Sequence, residues 1–229
     1  MFVKSLLGLV ISIVACITML DQTHAQVLLN GSLTGTVSDD LAPPDWFKWQ
    51  KTPDTVDSAG PFNNTGVPWT LSPDGGTFVR GGGSTFDNSE AIAQDVSGFT
   101  IGGTYSVSFF QTNLGFEHPT SGDWIGEDGY WELLINGSSV GTSTTLSRQS
   151  VATDPTVWFF DSLTFVAPTT DVEIAFVSRS VHPSGLAAYM GIDGIQLRQT
   201  AVPEPGVATF MFAALGLVCI RRQRNRNRI

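Results

Sequence analysis

The chain has 229 residues, a formal net charge of −9 and two cysteines, Cys16 and Cys219. Between residues 26 and 205 six Lys/Arg face twenty Asp/Glu, a local charge of −14 that repels nucleic acid and anionic membrane surfaces. Both cysteines fall outside that segment, so it holds no disulfide and no thiolate chemistry, and about 180 residues suit one packed domain.

Residues 1–25 read as a secretory signal peptide. Lys4 gives the positive start, Ser5 to Leu20 is almost unbroken apolar sequence, and Thr23-His24-Ala25 is a small-x-small cleavage site that leaves Gln26 as the new N-terminus. Ile13-Val14-Ala15-Cys16 resembles a lipobox and gives a second reading, lipidation at Cys16. The apolar run continues past Cys16 through Leu20, which favours the cut after Ala25.

From Gln26 to Thr200 glycine, Ser, Thr, Asn and Asp punctuate short runs of Val, Ile, Phe, Trp and Thr, a strand pattern. Val27-Leu28-Leu29 reads as a first strand and Asn30-Gly31-Ser32 as a turn. Residues 39–66 form a Pro-rich aromatic crossing with one strand at Trp46–Gln50. Ser72 to Gly76 is a turn, Thr77–Arg80 a strand, and Gly81-Gly82-Gly83 a break. Ala91–Val96 is the next strand. Thr104–Thr112 alternates, with Tyr105, Val107 and Phe109 on one face and Ser106 and Ser108 on the other. Tyr130–Ile135 leads into Asn136-Gly137, a hairpin turn, with Ser138–Thr145 returning. Val157–Val166, Asp171–Val177 and Ala187–Leu197 complete the set. In the last, the apolar parity changes at Gly194, which predicts a bulge. Eight to ten strands make an all-β, two-sheet antiparallel jelly-roll sandwich over 26–200.

Leu29-Asn30-Gly31-Ser32-Leu33, Ser72 to Gly76, Ala93-Gln94-Asp95-Val96, Gly102 to Phe109 and Ile192 to Leu197 fall in an order that resembles the galactose-binding-like jelly roll of many carbohydrate-binding modules. The resemblance implies sugar binding and a structural calcium. Asp193 matches the acid of the last strand that would serve it. The opening motif in such modules runs Asn-Gly-x-Phe-Glu, and Leu33 and Thr34 stand in its last two places here.

Chemistry-bearing residues are few. Only His118 and His182 lie in the domain, too few for a three-His zinc site, and no His-Glu-x-x-His, Gly-x-Ser-x-Gly or phosphate-cradling Gly-x-x-x-x-Gly-Lys occurs. Glu117, Asp123, Glu127 and Asp128 could supply a glycosidase's paired carboxylates, or simply form a solvated acidic loop. The same loop, 115–129, carries Phe116 and Trp124 beside Glu117 and Asp123, the mixture of ring faces and carboxylate acceptors that a glycan site uses. These four are the expected ligand-binding residues, with no catalytic residue expected. Trp46, Trp49 and Trp69 are open to either a core or a ligand-stacking role.

The chain closes on Val202-Pro203-Glu204-Pro205-Gly206, an uncharged apolar run 207–220, and five arginines within 221–228, among them Arg221, Arg222 and Arg224. Two prolines hold the first piece extended. Fourteen residues make about 21 Å of helix, short of a ~30 Å hydrocarbon core, but the trailing arginines stay cytoplasmic and snorkel. Triplet, span and arginines in this order resemble the PEP-CTERM sorting signal of Gram-negative bacteria. The resemblance implies recognition of Pro203, Glu204 and Pro205 by an exosortase, an inner-membrane precursor, and export in cells that make extracellular polysaccharide. A plain single-span anchor is the other reading. Function then falls in two classes: a non-enzymatic surface or matrix protein that binds glycan, or a secreted carbohydrate-active hydrolase of the same architecture.

Overall fold

The computed structural model describes residues 26–63, 66–83, 88–151, 153–182 and 185–200. The signal peptide with Ala25, the Pro203-Glu204-Pro205 triplet, the 207–220 span and the terminal arginines lie outside the described residues. No helix among the described residues is long and apolar enough to cross a membrane.

Twelve strands are present among the described residues: β1 (Phe47–Gln50), β2 (Asp54–Val56), β3 (Phe78–Gly83), β4 (Ala91–Ser97), β5 (Thr104–Asn113), β6 (Phe116–Glu117), β7 (Trp124–Ile125), β8 (Gly129–Ile135), β9 (Ser138–Thr142), β10 (Phe159–Val166), β11 (Asp171–Ser180) and β12 (Ala188–Gln199). One sheet runs β1-β4-β11-β8-β9, the other β10-β5-β12-β3-β2, and β6-β7 is a small hairpin; all pairings are antiparallel. The expected all-β jelly-roll sandwich is what the chain forms.

Period-2 alternation selects the faces. Tyr105, Val107 and Phe109 of β5 and Met190 and Ile192 of β12 meet Ile174 and Phe176 of β11 and Trp131 and Leu133 of β8 in one central core. The bulge falls where parity predicts it: β12 slips register against β5 between Asp193 and Gln196, with Gly194 at φ +60°. Residue Ile195 is thereby returned to the core. The Asn136-Gly137 turn has φ of +49° and +74°, the double positive that a two-residue hairpin demands.

Three local expectations are corrected. Val27-Leu28-Leu29 is not a strand. The side chain of Gln94 substitutes for a neighbouring strand there: Leu29 N–H donates to its Oε1 at 2.8 Å and its Nε2 donates to Leu29 O at 2.9 Å. Gly81-Gly82-Gly83 is not a break but the end of β3. A Cβ on Gly81 would sit 3.0 Å from the Trp131 ring, and one on Gly83 2.5 Å from the Ser178 carbonyl, so glycine lets the two sheets approach. The 115–129 stretch is not a loop free of strands, because β6 and β7 pair Phe116 with Ile125 and Glu117 with Trp124.

The tryptophans left open by sequence are all packed. Trp46 is in the central core with its indole N–H on Asn30 O at 3.0 Å. Trp49 covers an outer apolar cluster of Ala91, Ala93, Leu134, Ala175 and Val177, its N–H donating to Glu173 Oε1 at 2.8 Å. Trp69 packs with Val56, Phe78 and Leu114 on the outer side of the second sheet.

Candidate functional site

The outer face of the second sheet has two halves. One is roofed by loops, and the expected site residues belong to that half. Trp124 is half-buried: it packs on Gly115, where a Cβ would come within 2.4 Å of the ring, and its N–H donates to Gln149 O at 2.8 Å. Phe116 and Glu117 are half-buried as well, and Asp123 is exposed in the hairpin turn, where its carbonyl accepts from His118 N at 2.9 Å. Trp124 therefore works as a brace for the 146–155 segment, and Arg148 returns the contact by donating to Trp124 O at 2.7 Å.

The roof is pinned by Arg80 of β3. Its guanidinium pairs with Asp54 at 2.9 Å, both side chains being buried. It also lies 4.7 Å from the Tyr189 ring centre, 4.8 Å from that of Phe62 and 5.6 Å from that of Phe116. Arginine suits this place because its planar, weakly hydrated cation stacks on rings and still hydrogen-bonds through its edge. Burial pushes the carboxyls of Asp54 and Glu90 above their ordinary range, against the pull of hydrogen bonds and of Arg80. Burial raises the Tyr189 phenol likewise.

Asp193 sits where the open and roofed halves meet. It is 1% exposed, accepts from the Ser72 hydroxyl through Oδ2, and leaves Oδ1 without a partner among the described residues. Burial pushes its pKa up to about 7, with the Asp74 carboxylate adding to the rise. Calcium takes six to eight oxygens, commonly several from carboxylates. Thr34, in the place of the motif's glutamate, is exposed, and no group of three His, Cys, Asp or Glu is set to hold a metal among the described residues. One leftover carboxylate oxygen with Asp74 nearby does not make the calcium site that the resemblance implies.

The other half of the face is open. The register aligns three outward rows across β10, β5 and β12: Phe160, Phe110 and Asp193; Ser162, Ser108 and Gln196; Thr164, Ser106 and Arg198. Phe160 is 66% exposed and meets Phe110 edge-on at 5.6 Å. Below them Ser106 and Ser162 share a hydrogen bond of 2.8 Å, and Arg198 donates to Gln196 Oε1 at 3.0 Å. An aromatic step above a shelf of hydroxyl, amide and guanidinium groups can stack on the apolar face of a sugar ring and exchange hydrogen bonds with its hydroxyls. The sequence showed Ser106 and Ser108 sharing a face. Period-2 alternation puts Phe110 on that face too, but nothing in the sequence pairs Phe160 with it.

No protein-family model matches the chain, and no curated protein matches it. Solved structures similar to it include a cyclase from Fischerella sp. TAU in complex with 4-(1H-indol-3-yl)butan-2-one. That structure is 12% identical, with a TM-score of 0.53 over 78% of this chain and 98% of the cyclase. The C-terminal domain of EclA, described as a sugar-binding protein, is 19% identical with a TM-score of 0.32. The match covers 46% of this chain and 64% of that one, so this chain spans just under two thirds of its length. A structure of the CBM22-1 and GH10 modules of a Clostridium thermocellum endo-1,4-beta-D-xylanase, complexed with xylohexaose, is 12% identical, with a TM-score of 0.41 over 69% of this chain and 26% of that one. At 12% identity the likeness to the cyclase is one of fold alone.

Proposed function

We propose that this is an exported, non-enzymatic surface or matrix protein that binds glycan on the open face of its second sheet. The observation that carries the reading is the exposed Phe160 ring, set edge-on to the half-buried Phe110 over the Ser106, Ser108, Ser162 and Gln196 shelf. The acidic surface favours neutral over anionic polymers, because a domain of charge −14 repels a polyanion. A glycan array on the full chain, with a glycosidase screen beside it, tests this. Binding without turnover is expected, and hydrolysis of any array glycan would move the protein to the hydrolase class.

The tail adds a route. Pro203-Glu204-Pro205, the apolar run and the arginines support exosortase sorting from an inner-membrane precursor to the cell surface or the extracellular polysaccharide. Mass spectrometry of the surface form should then show no peptide from 207–229. Recovery of the intact arginine tail there would leave the plain-anchor reading.

A further inference from the structure

A cleft of about 400 Å³ opens at the end of the sandwich, apart from the open face; its lining includes Asn113, Leu146, Arg148, Gln149, Asp154 and Phe159. That volume is in the range of small-ligand pockets. Asn113 is only 4% exposed. Its Nδ2 donates to two carbonyls, Glu127 O at 2.8 Å and Leu146 O at 3.0 Å, which fixes the amide's orientation. The remaining atom, Oδ1, is a buried acceptor with no donor among the described residues. Gln149 repeats the arrangement: its Nε2 donates to Asp154 O, and its Oε1 is buried and has no donor among the described residues. Two side-chain acceptors at one cleft are thus short of donors, a state that costs stability unless something supplies them. Phe159, 48% exposed, offers one apolar wall, and Arg148 and Asp154 bring opposite charges that leave the cleft neutral.

The geometry points to a second binding site in this cleft, for a neutral, hydroxyl-rich unit of one or two sugar residues. Hydroxyl groups donate to the Asn113 and Gln149 acceptors, and the ring's C–H face lies on Phe159. A carboxylate-bearing sugar is the poorer ligand, because a carboxylate only accepts and so cannot satisfy the Asn113 and Gln149 acceptors, and because Asp154 repels it. Opposite faces of one strand start thereby carry separate sites, since Phe159 and Phe160 are adjacent in β10 and point to opposite sides.

Saturation-transfer NMR on the full chain in detergent tests this, with maltose, cellobiose and mannobiose as neutral probes and digalacturonate as the acidic one. At least one neutral disaccharide should bind, about tenfold more weakly to Phe159→Ala and to Gln149→Met, and unchanged to Phe160→Ala. Phe159→Ala removes an exposed ring and keeps the test valid if Gln149→Met disturbs the 146–155 segment. Neutral binding that both variants leave intact, or no neutral binding at all, overturns the site. Tighter binding of digalacturonate overturns the ligand class. None of these outcomes touches the open-face reading, which stands or falls on polysaccharide binding by Phe160→Ala.

Discussion

The guanidinium of Arg80 lies 4.7 Å from the ring centre of Tyr189 while pairing with Asp54 at 2.9 Å, so one buried cation ties β2, β3 and β12 to the loop and hairpin above them. Removing it strands the Asp54 carboxylate out of water. Arg80→Ala should cost about 3–5 kcal/mol, the usual penalty for breaking a buried pair, and should free the Phe62 and Phe116 segments. Asp54→Ala should cost a similar amount. Chemical denaturation of the two single variants and the double checks this, and the double should cost much less than the sum.

Stability should fall as pH rises from about 4 to about 7. Asp193 is raised from 3.8 to about 7, and Asp54 and Glu90 are raised as well. Between the unfolded and folded values the native state holds more protons than the unfolded chain, so the stabilisation is complete below the unfolded pKa and is lost as pH passes the folded one. Asp193 alone contributes a slope of up to about 1.4 kcal/mol per pH unit. Thermal melts at stepped pH should show this slope, and Asp193→Asn should flatten it. A wild-type stability that rises over the same window would contradict the assignment.

Calcium should leave the melting temperature unchanged. Ser72 already bonds Asp193, and Thr34 supplies no carboxylate. Melts in excess calcium and in a chelator should coincide, and a calcium-dependent rise would restore the metal site that the resemblance implies.

Gly83→Ala should be strongly destabilising although Gly83 lies in a run that reads as a flexible break. The added Cβ would meet the Ser178 backbone at 2.5 Å, and backbone cannot turn aside as a side chain can. A loss of about 1–3 kcal/mol is expected from such overpacking. Gly102→Ala makes a useful comparison: its Cβ would meet nothing within 4 Å, and only its φ of +77° opposes the change.

Trp124→Ala should lower stability by about 2 kcal/mol, below the 3–5 of a fully buried aromatic, because the ring is half-buried. The lost bond to Gln149 O should loosen residues 146–155, visible as faster amide exchange there.

Local pattern carried the sandwich into view. Alternation in β5, the Asn136-Gly137 turn and the parity change at Gly194 depend on neighbours in sequence, and all three stand in the structure. What sequence hides depends on strand order. Gly81 to Gly83 read as loose until Ser178 of the facing sheet is placed against them. Leu29 reads as strand until Gln94, 65 residues away, takes both its backbone groups. The candidate site shows the same divide. Trp124 and Phe116 looked exposed because the 115–129 stretch lacks periodicity, yet they support the roof. Nothing in the 157–166 run assigned Phe160 a face, and it stands exposed on β10, the outermost strand of its sheet.

The open face is therefore the place to test. Isothermal titration of the full chain with a neutral polysaccharide chosen from the array, against Phe160→Ala at unchanged melting temperature, is the most direct measurement. Glycan binding on this face predicts that Phe160→Ala weakens affinity by about tenfold or more, as removal of a stacking ring does. Equal affinity in wild type and Phe160→Ala would contradict it.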